Sequence, residues 1–124
     1  MAKHNQLGQA GEQAAVDFLV AKGYHILHRN WRVRHLELDI VASDGKEVAI
    51  IEVKTRSNTL FFQPEEAVNW LKIRRVVAAA NCYVKYFQPT LPLRFDIISV
   101  VGDKPPFHIE HIQNAFYPPL TCVH

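Results

Sequence analysis

Charged residues interrupt two apolar runs of this sequence. In "ELDIVASDGKEVAIIEVKTR", residues 37–56, Glu37, Asp39, Glu52 and Lys54 stand among valines and isoleucines. A buried carboxylate without a partner is costly, so carboxylates in such places call for a counter-charge. Oxygen donors gathered on one surface suit a hard divalent cation, Mg²⁺ or Mn²⁺. A lysine beside them suits the charge of a phosphate. The competing reading is an exposed hairpin with a Glu52–Lys54 or Glu37–Lys54 ion pair, a common and weakly stabilising feature. Asp39 and the strongly apolar strand 48–53 favour the ion site.

The turn between the runs decides whether these groups meet. Asp44-Gly45 is a type I′ hairpin signal. A two-residue turn there makes Ser43 face Lys46, Asp39 face Ile50 and Glu37 face Glu52. Facing side chains share a side of the sheet, so Glu37, Asp39, Ile50, Glu52 and Lys54 fall on one face. Leu38, Ile40, Ala49, Ile51 and Val53 fall on the other, which reads as core. Asp39 and Glu52 are then diagonal neighbours, with Cα atoms about 7–8 Å apart. A loop of even length keeps this parity, and a three-residue loop destroys it. Glu12 adds a carboxylate on a helix, in line with Ala15, Val16 and Leu19 and therefore able to look toward the sheet.

The surrounding elements follow from periodicity. Residues 5–22 read as a helix stopped by Gly23, and 24–33 as a strand. Residues 36–42 and 47–55 are the hairpin arms. Residues 64–87 read as a second helix, with Pro64 at its first position, Glu65 and Glu66 in its first turn, and a stripe of Trp70, Ile73, Val77, Ala80, Val84 and Phe87. Residues 92–101 and 106–112 read as strands. Three adjacent strands suit a meander, and strand–helix–strand suits a parallel crossover. The expected fold is α/β: a mixed β-sheet flanked by helices, in α-β-β-β-α-β order with a short final strand. One domain over 1–117 is expected, with 118–124 as a flexible tail.

Composition sets the outer limits. A chain of 124 residues with 48% hydrophobic side chains can bury a core without staples, so its buried charges are not forced by a lack of apolar residues. A net charge of +2 permits a nucleic-acid partner without demanding one. Arg29, Arg32, Arg34 and Arg56 flank the strands, and Lys72 and Arg75 can share a face of the second helix. All could follow a phosphate backbone. Trp31 reads as core. Cys82 and Cys122 make no metal spacing. His108 and His111, in a strand, point to opposite faces and are read as non-ligands. The N-terminus lacks the apolar stretch of a signal peptide and no run spans a membrane. A cytoplasmic protein with no membrane partner is expected.

An Asp in one strand and Glu-x-Lys in the next, after a helix bearing Glu, resembles the PD-(D/E)XK nuclease pattern. The segments "GQAGEQAAVDFLVAKGYHILHRNWR", "ELDIVASDG", "IIEVKTR", "PEEAV", "RFDIISV" and "HIQNAF" resemble, more closely, the YraN family of uncharacterised bacterial proteins, which is related to archaeal Holliday-junction resolvases. The resemblance covers about residues 8–116. It implies a restriction-endonuclease-like three-layer core and a hydrolase acting on phosphodiester bonds: a Mg²⁺- or Mn²⁺-dependent endonuclease on DNA, with branched or junction DNA among its substrates, working as a homodimer. It assigns Asp39, Glu52 and the Val53 carbonyl as metal ligands, Lys54 as the catalytic lysine and Glu12 as an outer ligand or water holder. Nearby carboxylates are expected to raise the Lys54 pKa, which favours a cationic role. Arg32, Arg34, Arg56, Lys72 and Arg75 are the expected nucleic-acid contacts. Leu36 stands where the family usually has Gly, Phe61-Phe62 where it has Phe-Gly, and Leu38 at the superfamily's nominal Pro; none removes a ligand. The alternative is a non-catalytic nucleic-acid-binding protein that keeps the fold.

Overall fold

Among the described residues, the computed structural model runs α1 (Ala2–Ala21), β1 (His25–Val33), β2 (Leu36–Ser43), β3 (Val48–Arg56), α2 (Trp70–Phe87), β4 (Leu93–Val101) and β5 (His108–Ile112). It describes residues 2–57 and 70–117, with side chains from Gln6 onward. The segment with Phe61, Phe62, Pro64, Glu65 and Glu66, and the tail 118–124 with Cys122, lie outside the described residues. The order of elements is the one the sequence predicts.

The strands form one sheet in the order β1-β2-β3-β4-β5. β1–β2, β2–β3 and β4–β5 are antiparallel, and β3–β4 is parallel. The parallel pair needs a crossover, and the segment carrying α2 supplies it. β3 and β4 lie inside the sheet with helices on both faces, which is why they read as nearly continuous apolar runs.

Each face has its own core. Ala15, Val16 and Leu19 of α1 pack with Ile40, Ala42, Ala49, Ile51, Ile98 and Val100. Val76, Val77, Ala79, Ala80 and Tyr83 of α2 pack with Leu38, Val41, Val48, Ile50 and Phe95. The buried face of α2 is rotated from the expected stripe: Trp70 is 62% exposed, while Val76, Ala79 and Tyr83 are buried. Tyr83 is anchored on this face. Its hydroxyl hydrogen-bonds His28 Nδ1 at 2.8 Å, and its ring packs against Trp31. Trp31 is thus a core contact, as expected.

Gly23 ends α1 with φ of 93°. The Tyr24 N–H bonds the Leu19 carbonyl and the Gly23 N–H bonds that of Val20, at 2.9 and 3.0 Å, the paired closure that a left-handed residue permits. Tyr24 then enters the core and β1 begins.

The hairpin departs from the predicted register. Ser43 pairs with Val48, Ala42 with Ala49, Val41 with Ile50 and Ile40 with Ile51. The loop is therefore the four residues 44–47. Asp44 widens it by accepting hydrogen bonds from the Lys46 and Glu47 N–H groups, both at 2.8 Å. The slip is two residues, so parity survives, but Asp39 no longer faces Ile50 nor Glu37 Glu52. Nor is one face all core: Ile50 packs under α2 and Ile51 under α1. Alternation also breaks at Asp39, since Leu38 joins the α2 side and Ile40 the α1 side. Alongside in β1, between the pairs Arg29–Ile40 and Trp31–Leu38, Asn30 takes φ of 51°. That left-handed residue turns both strands at one point.

Candidate functional site

The ladder between β2 and β3 stops at Ile40–Ile51. Beyond it β2 stays paired with β1 as far as Leu36, and β3 with β4 as far as Arg56. A wedge therefore opens between the central strands at the carboxyl end of β3. Crevices outside the carboxyl ends of parallel strands are where open α/β sheets bind ligands. Asp39 bridges the wedge, with its Oδ2 accepting the Val53 N–H at 2.9 Å.

A cleft of about 550 Å³ lies over this wedge on the α1 side. Glu12, Asp39, Val53, Lys54, Arg32 and Arg56 all line it, together with Glu37 and Asn30. α1 reaches the cleft because Gly11 lets it approach β3. A Cβ at Gly11 would lie 2.7 Å from Thr55 Cγ2 and closer still to Thr55 Oγ1. Glu12, the next residue, is held by Asn30 Nδ2 at 2.7 Å and by Arg29 at 3.6 Å. Asn30 was not singled out in the sequence. Its left-handed φ is what turns it toward α1, and no local motif announces that.

Glu52 sits at the back of the wedge, 5% exposed. Its Oε2 carries Lys72 Nζ at 3.0 Å and Lys54 Nζ at 3.8 Å. Burial and the neighbouring Glu52 charge push Asp39 up to about 7, against the Val53 hydrogen bond, which favours the carboxylate. Burial lowers the Lys54 pKa, with Glu52 pulling the other way. The expectation that carboxylates raise Lys54 is thus not met, because desolvation outweighs them. For Lys72 burial also disfavours charge, but Glu52 outweighs it and the net shift is upward.

The expected backbone-binding cations divide. Arg32 stands at the cleft, 3.7 Å from Glu37, and Arg56 lines the cleft with Nη1 donating to the Thr55 carbonyl at 3.3 Å. Lys72 turns inward onto Glu52. Arg75 is exposed on α2, and Arg34 is exposed in the turn after β1; neither lines the cleft.

The donor set here is all oxygen, which suits a hard ion. Among the described residues, no three His, Cys, Asp or Glu side chains come together closely enough to hold a metal on their own. Two carboxylates completed by a backbone carbonyl and water is the kind of sphere Mg²⁺ favours. Burial raises Asp39 most and the Glu52 charge next, and a bound cation would offset both. On this basis the residues fit the ion.

A second polar cluster lies at the other end of β4. Arg94 Nε donates to Asp96 at 3.0 Å, Nη1 reaches Glu47 at 2.9 Å and Asp44 at 3.2 Å, and Nη2 donates to the Tyr24 hydroxyl. His111 Nε2 bonds Asp96 at 2.8 Å, so Nδ1 is left to accept from Lys22 at 3.0 Å. Burial alone would raise Asp96, but hydrogen bonds from His111, Arg94 and the Asn114 N–H hold it below the usual carboxylate range. The cluster fastens the hairpin loop to β4 and thereby fixes the strands whose far ends carry the site.

Fold and cleft define an α/β domain with an acidic, lysine-bearing site at the carboxyl end of its central strands. The chain belongs to UPF0102, described as "Uncharacterised protein family UPF0102", whose model matches residues 11–100. The resemblance to the YraN family is thereby borne out. A UPF0102 protein of Bacteroides thetaiotaomicron is 62% identical over 120 residues, covering 97% of this chain and 99% of the relative. One of Phocaeicola vulgatus is 54% identical with the same coverage, and one of Flavobacterium psychrophilum is 45% identical over 94% of this chain and 98% of the relative. No described helix is long and apolar enough to cross a membrane.

Proposed function

We propose that this protein is a metal-dependent endonuclease that hydrolyses phosphodiester bonds in DNA, branched or junction DNA included. The observation that carries the reading is the wedge between β2 and β3: Asp39 and Lys54 line the cleft with Glu12, and buried Glu52 lies behind it, 3.8 Å from Lys54 and near enough for its charge to raise Asp39. Asp39, Glu52 and the Val53 carbonyl would hold Mg²⁺ or Mn²⁺. Such an ion, when bound, supplies charge neutralisation at the scissile phosphate and a lowered pKa for water. Glu12, fixed by Asn30 and Arg29, holds water at the cleft wall. Lys54, 18% exposed and lining the cleft, presents its ammonium to developing charge on the phosphate oxygens. Arg32 and Arg56 hold the flanking backbone. A second copy of the chain would supply the second cut that a four-way junction requires.

Incubation with linear and branched DNA in Mg²⁺ or Mn²⁺ tests this, beside an Asp39→Ala/Glu52→Ala double variant. Cleavage by the native protein and none by the variant is expected. Equal cleavage by both would refute the assignment. Binding that depends on the ion, without cleavage of any substrate, would leave the non-catalytic binder in its place.

A further inference from the structure

Glu52 already has a cation in close contact, and that cation comes from the opposite layer. Lys72 extends from α2 to 3.0 Å from Glu52 Oε2, the same oxygen that Lys54 approaches at 3.8 Å. The two lysines differ in freedom. Lys54 stands two residues from Glu52 on one rigid strand and is 18% exposed. Lys72 is 42% exposed, on a flexible four-carbon stem with an open path to solvent. An ammonium and a divalent cation cannot share one carboxylate oxygen at ion-contact distance without strong repulsion. The side chain able to leave is Lys72.

We propose that Lys72 is an exchangeable counter-ion: it neutralises Glu52 until a divalent cation takes that carboxylate, and the released ammonium then binds a phosphodiester oxygen. The inference rests on the metal-site reading above. The exchange keeps charge matched at each stage. Before it, the Glu52 carboxylate has the Lys72 ammonium in contact at 3.0 Å and that of Lys54 farther off at 3.8 Å. After it, the ion and the freed lysine together face an anionic backbone. Metal and phosphate binding are therefore coupled, because each favours the same position of Lys72. Removing Lys72 makes metal binding easier and phosphate binding weaker, two effects of opposite sign from one side chain. A purely structural ion pair predicts no loss of phosphate binding.

The test is calorimetric titration of Mn²⁺ into the full chain and its Lys72→Met and Lys72→Arg variants. It is joined by fluorescence anisotropy of a labelled oligodeoxynucleotide in Ca²⁺. Lys72→Met is expected to bind Mn²⁺ about tenfold more tightly and the oligonucleotide less tightly, while Lys72→Arg, which keeps the charge, stays near the native protein in both. Native protein and Lys72→Met binding Mn²⁺ equally would overturn the exchange and leave the metal site standing. Weaker Mn²⁺ binding by Lys72→Met, with Lys72→Arg near native, would also overturn it. No Mn²⁺ binding by any of the three proteins would remove the metal-site reading, and the exchange with it.

Discussion

Asp39→Asn should stabilise this protein, and more so as pH rises. The side chain shares a half-buried wedge with Glu52, and burial with that neighbouring charge moves it from its ordinary 3.8 to about 7. A carboxyl raised on folding binds more protons in the folded chain than in the unfolded one. Its contribution is therefore fully present below about pH 4 and is lost as pH rises through about 7. At about 1.4 kcal/mol per pH unit, the ceiling on that loss is about 4 kcal/mol. Solvent reaching the half-buried group reduces it, leaving about 2–3 kcal/mol between pH 5 and pH 8.5. Asparagine keeps an oxygen for the Val53 N–H and removes the charge. Urea unfolding in the presence of a chelator, with native protein and variant at both pH values, reads the difference. The variant's advantage in midpoint should grow by about 1–2 M urea from the lower to the higher pH. An advantage that does not change with pH, or a variant less stable at the higher pH, would refute burial beside the Glu52 charge as the cause.

Other substitutions probe what positions the site. Gly11→Ala should push α1 away from β3 and cost about 1–3 kcal/mol, and Thr55→Ala should restore much of the loss, as a double-mutant cycle by denaturation would show. Arg94→Met leaves Asp96, Glu47 and Asp44 without their shared cation and should cost about 3–5 kcal/mol in chemical denaturation.

Much of this architecture was legible because period-2 and period-3.6 patterns survive small errors. The strands and helices stand where those patterns put them, and along β3, where alternation holds, parity places Glu52 and Lys54 on one side. The register itself was not legible. A shift by two residues leaves alternation unchanged, and the Asp44 side chain that widens the loop acts through a hydrogen bond no pattern encodes. The break in alternation at Asp39 lies beside the left-handed Asn30, and the β2–β3 ladder ends at the neighbouring Ile40–Ile51 pair; no period encodes either. Its place on a basic helix face marks Lys72 as a backbone contact; only the packing of α2 shows it turned to Glu52. Arg94 and Asp96 could have been flagged by the rule that flagged Glu52 and Lys54, since they too interrupt an apolar strand.

The proposed function stands on a divalent cation held by Asp39 and Glu52 at the wedge between β2 and β3. Anomalous scattering from crystals soaked in Mn²⁺ tests it most directly. A peak between these two carboxylates, within coordination distance of Val53 and absent from the Asp39→Ala/Glu52→Ala variant, is the predicted result. A bound Mn²⁺ located elsewhere, with none at the wedge, would contradict it.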